Sequence, residues 1–453
     1  MTRPAHSPSP DAGKRGAASP PIVIVGGGFA GATLAQHLER SLPAAIEIVV
    51  ISGENHLVFT PMLPEVVGRT ISPLHVVVAG RELTRRTRWL EARIVGIDRE
   101  RRRARYELTN GESGTMEYAH LVLACGSTVD LSAIPGLAAR GYPLKTVMDA
   151  ISLGNDLIGK FEEASAETET ARRRRLLTTV VIGGGFSGVE IAGHIADLSR
   201  AVHRFYPELK NIHPKIVLLQ KRDRILPELN HLSLSKFALR RLRKSKIEVR
   251  LEISAKKVTS RTVELDSGEE IEAGMVVCTI GTDTQPLVKE LGIPLEKGRL
   301  KTDPDMKVTG TENLWAIGDC ALIPNAHDGH ACPGTAQFAV QQARQLAKNL
   351  ARVVASAPTE PFSFRPRGLL AAIGHRNAVA EIYGVQLSGF FAWFLWRGVY
   401  LSKLPTLGRK IEVAVGWAWS LLFPPNVVQL RLQRSGFPAE TAAAAHPKHR
   451  KAS

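Results

Sequence analysis

The amino-acid sequence predicts an α/β fold with two parallel sheets, and three observations predict it. Ile22-Val23-Ile24-Val25 and Thr179-Val180-Val181-Ile182 are β-branched apolar runs, each of which stops at three glycines and turns into a helical pattern. Such a run reads as a parallel strand buried on both faces, and the glycines let the chain turn sharply and bring backbone close to a ligand. The third observation is a late strand pattern, Leu314-Trp315-Ala316-Ile317, that ends in Gly318-Asp319. It offers a carboxylate at the C-terminal edge of a sheet, where ligands sit in open α/β folds.

Gly26, Gly28 and Gly31 fit the G-x-G-x-x-G dinucleotide fingerprint. The helix that follows, over about residues 30–40, aims its unpaired N–H groups and positive dipole end at a pyrophosphate. One such turn also occurs for packing alone. Gly183, Gly185 and Gly188 repeat it within a second strand–glycine–helix unit, and two independent copies are hard to explain by packing. Two Rossmann-like dinucleotide-binding domains follow from this.

At 453 residues the chain exceeds a single core, so two or three domains are expected. The formal charge of +16 would suit nucleic acid, an anionic membrane surface or acidic ligands. The basic clusters are scattered, carry no interleaved aromatics, and accompany no zinc-finger or helix-turn-helix spacing, which argues against nucleic acid. Cys125, Cys278, Cys320 and Cys332 are widely spaced without a C-x-x-C. That argues against a dithiol redox centre, a zinc site or a secreted disulfide framework and fits a reducing compartment. Residues 1–20 are rich in Pro, Ser and Ala and read as a disordered tail, as does the basic stretch 436–453.

Taken in order, Glu47 to Ser52 is the second strand of the first unit. Its end normally supplies an acid for a ribose, about twenty residues after the glycines. Here Ser52-Gly53-Glu54 stands there, so Glu54 or the Ser52 hydroxyl takes that contact. The apolar segment 55–65 contains Pro61 and Pro64 and is expected to be irregular, a covering loop beside the bound group. Residues 90–108 form short strands around an arginine-rich turn, and 118–126 is a buried strand ending in small residues, among them Ala124 and Gly126. After a break at Pro135-Gly136 a helix starts near Val147, and Phe161 to Arg175 is expected to be a solvated helix end or loop.

The second unit's second strand ends at Gln220, followed by Lys221 and Arg222. An acid there would repel a 2′-phosphate, whereas Gln220 either bonds the ribose of NADH or, with the neighbouring basic groups, admits NADPH. Strands at 247–250, 261–265 and 275–280 close the unit, with Gly281 just beyond. In the helical pattern 331–350, Gln337, Gln341, Arg344, Gln345 and Lys348 share one face, which by spacing alone is a solvated polar face. The last hundred residues hold two short aromatic runs, 387–401 and 413–423, with Arg397, Lys403, Arg409 and Lys410 between or beside them. Neither approaches the roughly twenty apolar residues of a membrane span. Such a pair lies in a membrane interface or forms a buried hairpin or dimer contact.

This ordered set resembles the type II NADH:quinone oxidoreductases over residues 21–430. The most specific pieces are 51–65, similar to the family's flavin-side segment with Phe59-Thr60-Pro61, Ala336 to Gln342, similar to its quinone-site helix, and 387–404, similar to its membrane-binding region. The resemblance implies FAD on the first fingerprint with Gly318 and Asp319, and NADH or NADPH on the second. It also implies Glu190 beside nicotinamide and flavin, and Gln337 and Gln341 at the flavin–quinone interface. Ser52 and Gln220 depart from the acids common in the family. The expected domains are FAD-binding at 21–140 and 290–355, NAD(P)H-binding at 141–289, and a membrane-interface region at 356–435.

The implied reaction passes a hydride from NAD(P)H to FAD and two electrons onward to a membrane quinone, with no proton pumping. The enzyme is then a peripheral homodimer at the cytoplasmic face of the cell membrane, attached to its anionic surface. Competing readings are a sulfide:quinone oxidoreductase, which needs cysteines flanking the flavin, a soluble ferredoxin reductase, and a nucleotide-binding interaction protein without turnover.

Overall fold

The computed structural model describes residues 19–430; the tail expected at 436–453 and nearly all of that at 1–20 lie outside the described residues. Ile22–Val25 is at most 5% exposed and pairs in parallel with Ile48–Ser52 on one side and His120–Leu123 on the other. This strand is therefore a switch point, at which the chain leaves first to one side and later to the other. The seven-stranded sheet runs Leu314–Ala316, His120–Leu123, Ile22–Val25, Ile48–Ser52, Arg88–Asp98, Arg103–Leu108, Ser113–Glu117. Its first five strands are parallel and the last two form an antiparallel extension.

The second sheet repeats the plan with five parallel strands: Gly141–Tyr142, Met275–Cys278, Thr178–Ile182, Lys215–Gln220, Ile247–Leu251. Thr178–Ile182 is again the switch strand. Helices Phe29–Ser41 and Phe186–His203 follow the two glycine turns. Helix Ala336–Val354 packs on the first of them and caps the sheet to which Leu314–Ala316 returns. Residues 368–389 form a three-stranded antiparallel sheet, followed by helices Phe390–Lys403 and Leu407–Leu422.

One stretch differs from expectation. Segment 55–65 is not irregular throughout: Leu63–Val67 is a short helix entered from a 3₁₀ turn at Thr60–Met62. Pro64 lies in the helix's first turn, where its missing N–H has no intrahelical partner to lose. Over 161–175, helix Val147–Ala166, which starts at a Thr146/Asp149 capping box and buries Leu153, Leu157, Phe161 and Ala164 at helical spacing, comes to its end, and a second helix spans Thr170–Leu176; most of the stretch is exposed, as expected of a solvated helix end. Among the described residues no helix is long and apolar enough to cross a membrane.

Candidate active site where two glycine turns meet a buried acid pair

The first turn shows why glycine is required at two of its three positions. Gly26 has φ +108°, and a Cβ on Gly31 would fall 1.9 Å from the Gly26 carbonyl oxygen. Gly28 is different: its backbone suits any residue, and a Cβ there would meet nothing within 4 Å. Gly28 is the N-cap of helix Phe29–Ser41 and provides no side-chain cap, so the first-turn amides face that open space unpaired. A dinucleotide pyrophosphate fits this cradle.

Around it the structure gathers the residues singled out from sequence. Ser52 sits beside Gly27, its Oγ receiving the Glu54 amide at 3.4 Å, while the exposed Glu54 carboxylate lies 3.9 Å from His56. Gly318, at φ +77°, packs against Ala30 of the fingerprint helix and thereby carries Asp319 to the helix's start. Asp319 accepts from Ser127 Oγ at 3.2 Å, with Lys145 Nζ 4.0 Å away. The turn at Ala124 and Gly126 runs past Gly26, and Phe59 is buried edge-on against Phe29 at 5.6 Å, with Thr60 and Pro61 next in the 3₁₀ turn.

The second turn repeats the geometry. Gly183 has φ +110°, a Cβ on Gly188 would lie 1.7 Å from the Gly183 oxygen, and Gly185 is an uncapped N-cap. Gln220 is buried and turned onto its own loop, donating from Nε2 to the Arg224 carbonyl at 2.9 Å and receiving the Gly184 amide at 3.4 Å. Lys221 and Arg222 beside it are exposed. Gly281, φ +74°, leaves the sheet edge opposite Asp130.

On the glutamine helix, Gln337 Oε1 accepts from the Arg367 amide at 3.0 Å, tying this helix to the C-terminal sheet, and Gln341 is half-buried one turn on. Sequence spacing missed Gln342. It is buried, and its Oε1 accepts from the Gly318 amide at 2.8 Å, fixing the Gly-Asp turn. Asn349 is fully buried on the same side, so the helix carries a polar inner seam as well as the predicted outer face.

Glu190 lies in the buried stretch of helix Phe186–His203 that begins at Gly188. It is 7% exposed, and its Oε1 accepts from the Ala372 amide at 2.9 Å. Burial raises its pKa to about 8, opposed by the Ala372 bond and reinforced by the charge of a second acid, Glu65. The Trp396 indole N–H acts on the same carboxyl in the lowering direction, though it falls short of a formed hydrogen bond.

Glu65 was not singled out from sequence; its one signal is a lone acid in an apolar segment. It is 3% exposed, its Oε2 accepts from Trp417 Nε1 at 2.6 Å, and burial raises it to about 7 against the Arg397 charge and that bond. Arg397 makes no ion pair with it among the described residues and instead stacks on Trp393 at 3.9 Å and Trp417 at 4.7 Å. Burial, with Arg397 adding to it, drives His194 down to about 4. A cavity of about 1240 Å³ opens here, walled by Glu65, His194, Asp197, His375, Trp393 and Arg397 among others.

The pyridine nucleotide-disulphide oxidoreductase family matches residues 20–343, and the NDH2 C-terminal domain matches residues 367–424. A Dictyostelium discoideum protein named probable NADH dehydrogenase is 32% identical over 417 residues, covering 90% of each chain. The type II NADH:quinone oxidoreductase NdhA of Mycobacterium tuberculosis is 30% identical, covering 89% of this chain and 87% of its own. The fold is that of NDH2 from Plasmodium falciparum solved with NADH, at TM-score 0.83 and 18% identity, over 90% of this chain and 100% of the other.

Proposed function

The chain belongs to the pyridine nucleotide-disulphide oxidoreductase family, among its type II NADH:quinone oxidoreductases, and on that premise we propose which residues serve NADH oxidation and quinone reduction and where the enzyme works. The first glycine turn, Gly26, Gly28 and Gly31, holds the FAD pyrophosphate on uncapped helix amides. Ser52 and Glu54 serve its adenosine end. Ala124, Gly126, Gly318 and Asp319 line its path, and Phe59, Thr60 and Pro61 cover the flavin side. Held there, FAD would supply hydride acceptance from NADH and two-electron transfer to quinone.

The second turn, Gly183, Gly185 and Gly188, holds the nicotinamide nucleotide, with Gln220 and Gly281 at its ribose and nicotinamide ends. Gln220 carries no charge to repel a 2′-phosphate, so NADPH is accepted beside NADH, helped by Lys221 and Arg222. Glu190 orients the nicotinamide and holds a transferable proton, being protonated near neutral pH by its burial. Gln337 and Gln341 present amide groups at the quinone side. The observation that carries this reading is that Glu190, four positions past the first residue of the second turn's helix, bonds the C-terminal strand at Ala372. The nucleotide turn and the quinone-side sheet thus share one buried acid.

The exposed face of the final hairpin supports attachment to a membrane. Phe391, Phe394, Leu407, Val415 and Leu422 are each at least 60% exposed, and Lys403 and Lys410 flank them. That is an apolar face with basic margins, suited to anionic lipid. A homodimer and the cytoplasmic side complete the proposal and rest on the family resemblance. Anaerobic stopped-flow absorbance tests the core of the reading. NADH, and more weakly NADPH, bleaches the flavin, and a short-chain quinone restores it; failure of both nucleotides to bleach it overturns the assignment.

A further inference from the structure

We propose that Glu65 is the intake carboxyl for the solvent proton of quinone reduction, relaying it from the large cavity to Glu190. The inference rests on the quinone-reductase reading above. NADH brings two electrons and one hydrogen as hydride, whereas a quinol carries two added hydrogens. One proton per turnover must therefore come from water. In the relay an O–H bond forms at the quinone oxygen as that of Glu190 breaks, Glu190 regains its proton from Glu65, and Glu65 regains its own from cavity water.

The geometry separates the two acids into an outer and an inner position. Glu65 lines the cavity and Glu190 does not; Glu190 feels the Glu65 charge and accepts from the amide of Ala372, a wall residue of the C-terminal sheet. Only Oε2 of Glu65 is engaged, by Trp417, and among the described residues Oε1 makes no hydrogen bond, leaving it for water. The other acidic and basic groups on the cavity wall serve less well. Asp197 is tied to the His375 amide at 2.7 Å and to Arg200 at 3.1 Å. His194, one turn beyond Glu190, is held neutral by burial and pressed against Gly68, where a Cβ would lie 2.7 Å from its Nδ1.

A structural role accounts poorly for Glu65. A buried carboxylate is costly unless ion-paired, and the cation whose charge acts on it, Arg397, spends its guanidinium on two indole faces. A buried acid that changes charge near neutral pH suits proton transfer. Burial raises the pKa of Glu65, and the Arg397 charge and the Trp417 bond from the two hairpin helices lower it; the other titratable groups around Glu65 are Glu190 and His194 from the nucleotide helix and Arg69 from the turn after its own helix. Because the acids interact, their apparent values belong to the pair.

The test uses the FAD-loaded holoenzyme. In E65Q, NADH reduces the flavin at a rate within about twofold of wild type, while reoxidation by a short-chain quinone slows about tenfold or more. The apparent pKa of that reoxidation falls by about one pH unit, since Glu190 no longer faces a second carboxylate. W417F keeps the carboxyl but removes the donor to its charged form, so the same pKa moves up. Independently of turnover, the pH-difference infrared spectrum of wild type contains a carboxylic-acid C=O band titrating near neutrality, part of which is missing in E65Q. E65D recovers part of the reoxidation rate. An unchanged reoxidation rate and pH profile in folded, flavin-loaded E65Q, or equal slowing of both half-reactions, overturns the proposal. Failure of the wild type to be reduced by NADH or reoxidised by quinone would instead sink the functional reading beneath it.

Discussion

Replacing Gly31 and Gly28 in turn by alanine separates the two tasks of the first glycine turn. In G31A the new methyl carbon would stand 1.9 Å from the Gly26 carbonyl oxygen, where real contacts essentially never fall below 3.0 Å. Helix Phe29–Ser41 must then move away from its strand by at least about 1.1 Å, the difference between those distances. Neither neighbour can yield cheaply: Gly26 donates its amide to Ile51 at 2.8 Å, and Ala30, Leu34, Ala35 and Leu38 are locked in the core. Overpacking of this kind costs about 1–3 kcal/mol, and a displacement near 1 Å at a ligand-holding turn costs about a hundredfold in function. G28A meets nothing within 4 Å and keeps an allowed backbone, so the apoprotein retains wild-type stability. Its methyl group instead occupies the open space before the uncapped amides, and FAD binding weakens. The measurements are the flavin-to-protein absorbance ratio after gel filtration and the thermal midpoint of FAD-stripped protein. The expected result is low flavin in both variants with a lowered midpoint in G31A alone. Full flavin in G28A would refute the placing of the pyrophosphate, and an unshifted midpoint in G31A would refute the steric argument.

Two further outcomes follow from the acid pair and the hairpin. Glu65 and Glu190 are raised from an ordinary 4.5 to about 7 and about 8, so the folded state holds protons that the unfolded chain releases. Their contribution to stability is complete below about pH 4.5 and is lost as pH rises toward 8. With about 1.4 kcal/mol for each pH unit of that gap, the thermal midpoint should fall between pH 5 and pH 8, and the E65Q/E190Q variant should flatten this slope; an equally steep slope in the variant would show that other groups set it. On the hairpin, Phe391 is 78% and Phe394 69% exposed. Burying one such ring in lipid is worth about 1.5–3 kcal/mol, so F391S/F394S should weaken sedimentation with anionic vesicles about a hundredfold or more. Unchanged sedimentation would place the membrane contact elsewhere.

Both parallel sheets were legible because their signals are local. A β-branched run, three glycines and a helix lie within a dozen residues, and Gly31 and Gly188 are required by contacts to carbonyls only five residues back. Gly318-Asp319 was legible for the same reason, as a turn at a strand end. The amide that fixes it was not: Gln342 faces inward from a helix whose other glutamines suggested a solvated stripe, and spacing cannot tell which polar side chain will find a partner in the core.

The acid pair was hidden more deeply. Glu190 was readable from its place after Gly188, but its environment is made by Ala372, Trp396 and Glu65, from three other parts of the chain. Glu65 meets Trp417 across 352 residues of sequence, and the helix that presents it forms only because Pro64 falls in the first turn of Leu63–Val67. From composition, Trp417 and Arg397 belong to aromatic runs with basic residues between or beside them, which suit a membrane interface or a buried hairpin equally. The burial of Trp417 and the inward stacking of half-buried Arg397 change what the hairpin does. Its outer face offers Phe391 and Phe394 to lipid, while its inner face closes over Glu65 with one indole N–H and one stacked cation. If the hairpin docks on a membrane where quinone resides, the same two helices that seat the enzyme also tune the acid at the mouth of its proton path. A vesicle-bound sample should then show a reoxidation pKa displaced from that of the free enzyme, and W417F should abolish the displacement; identical values in solution and on vesicles would mean that the two faces act independently.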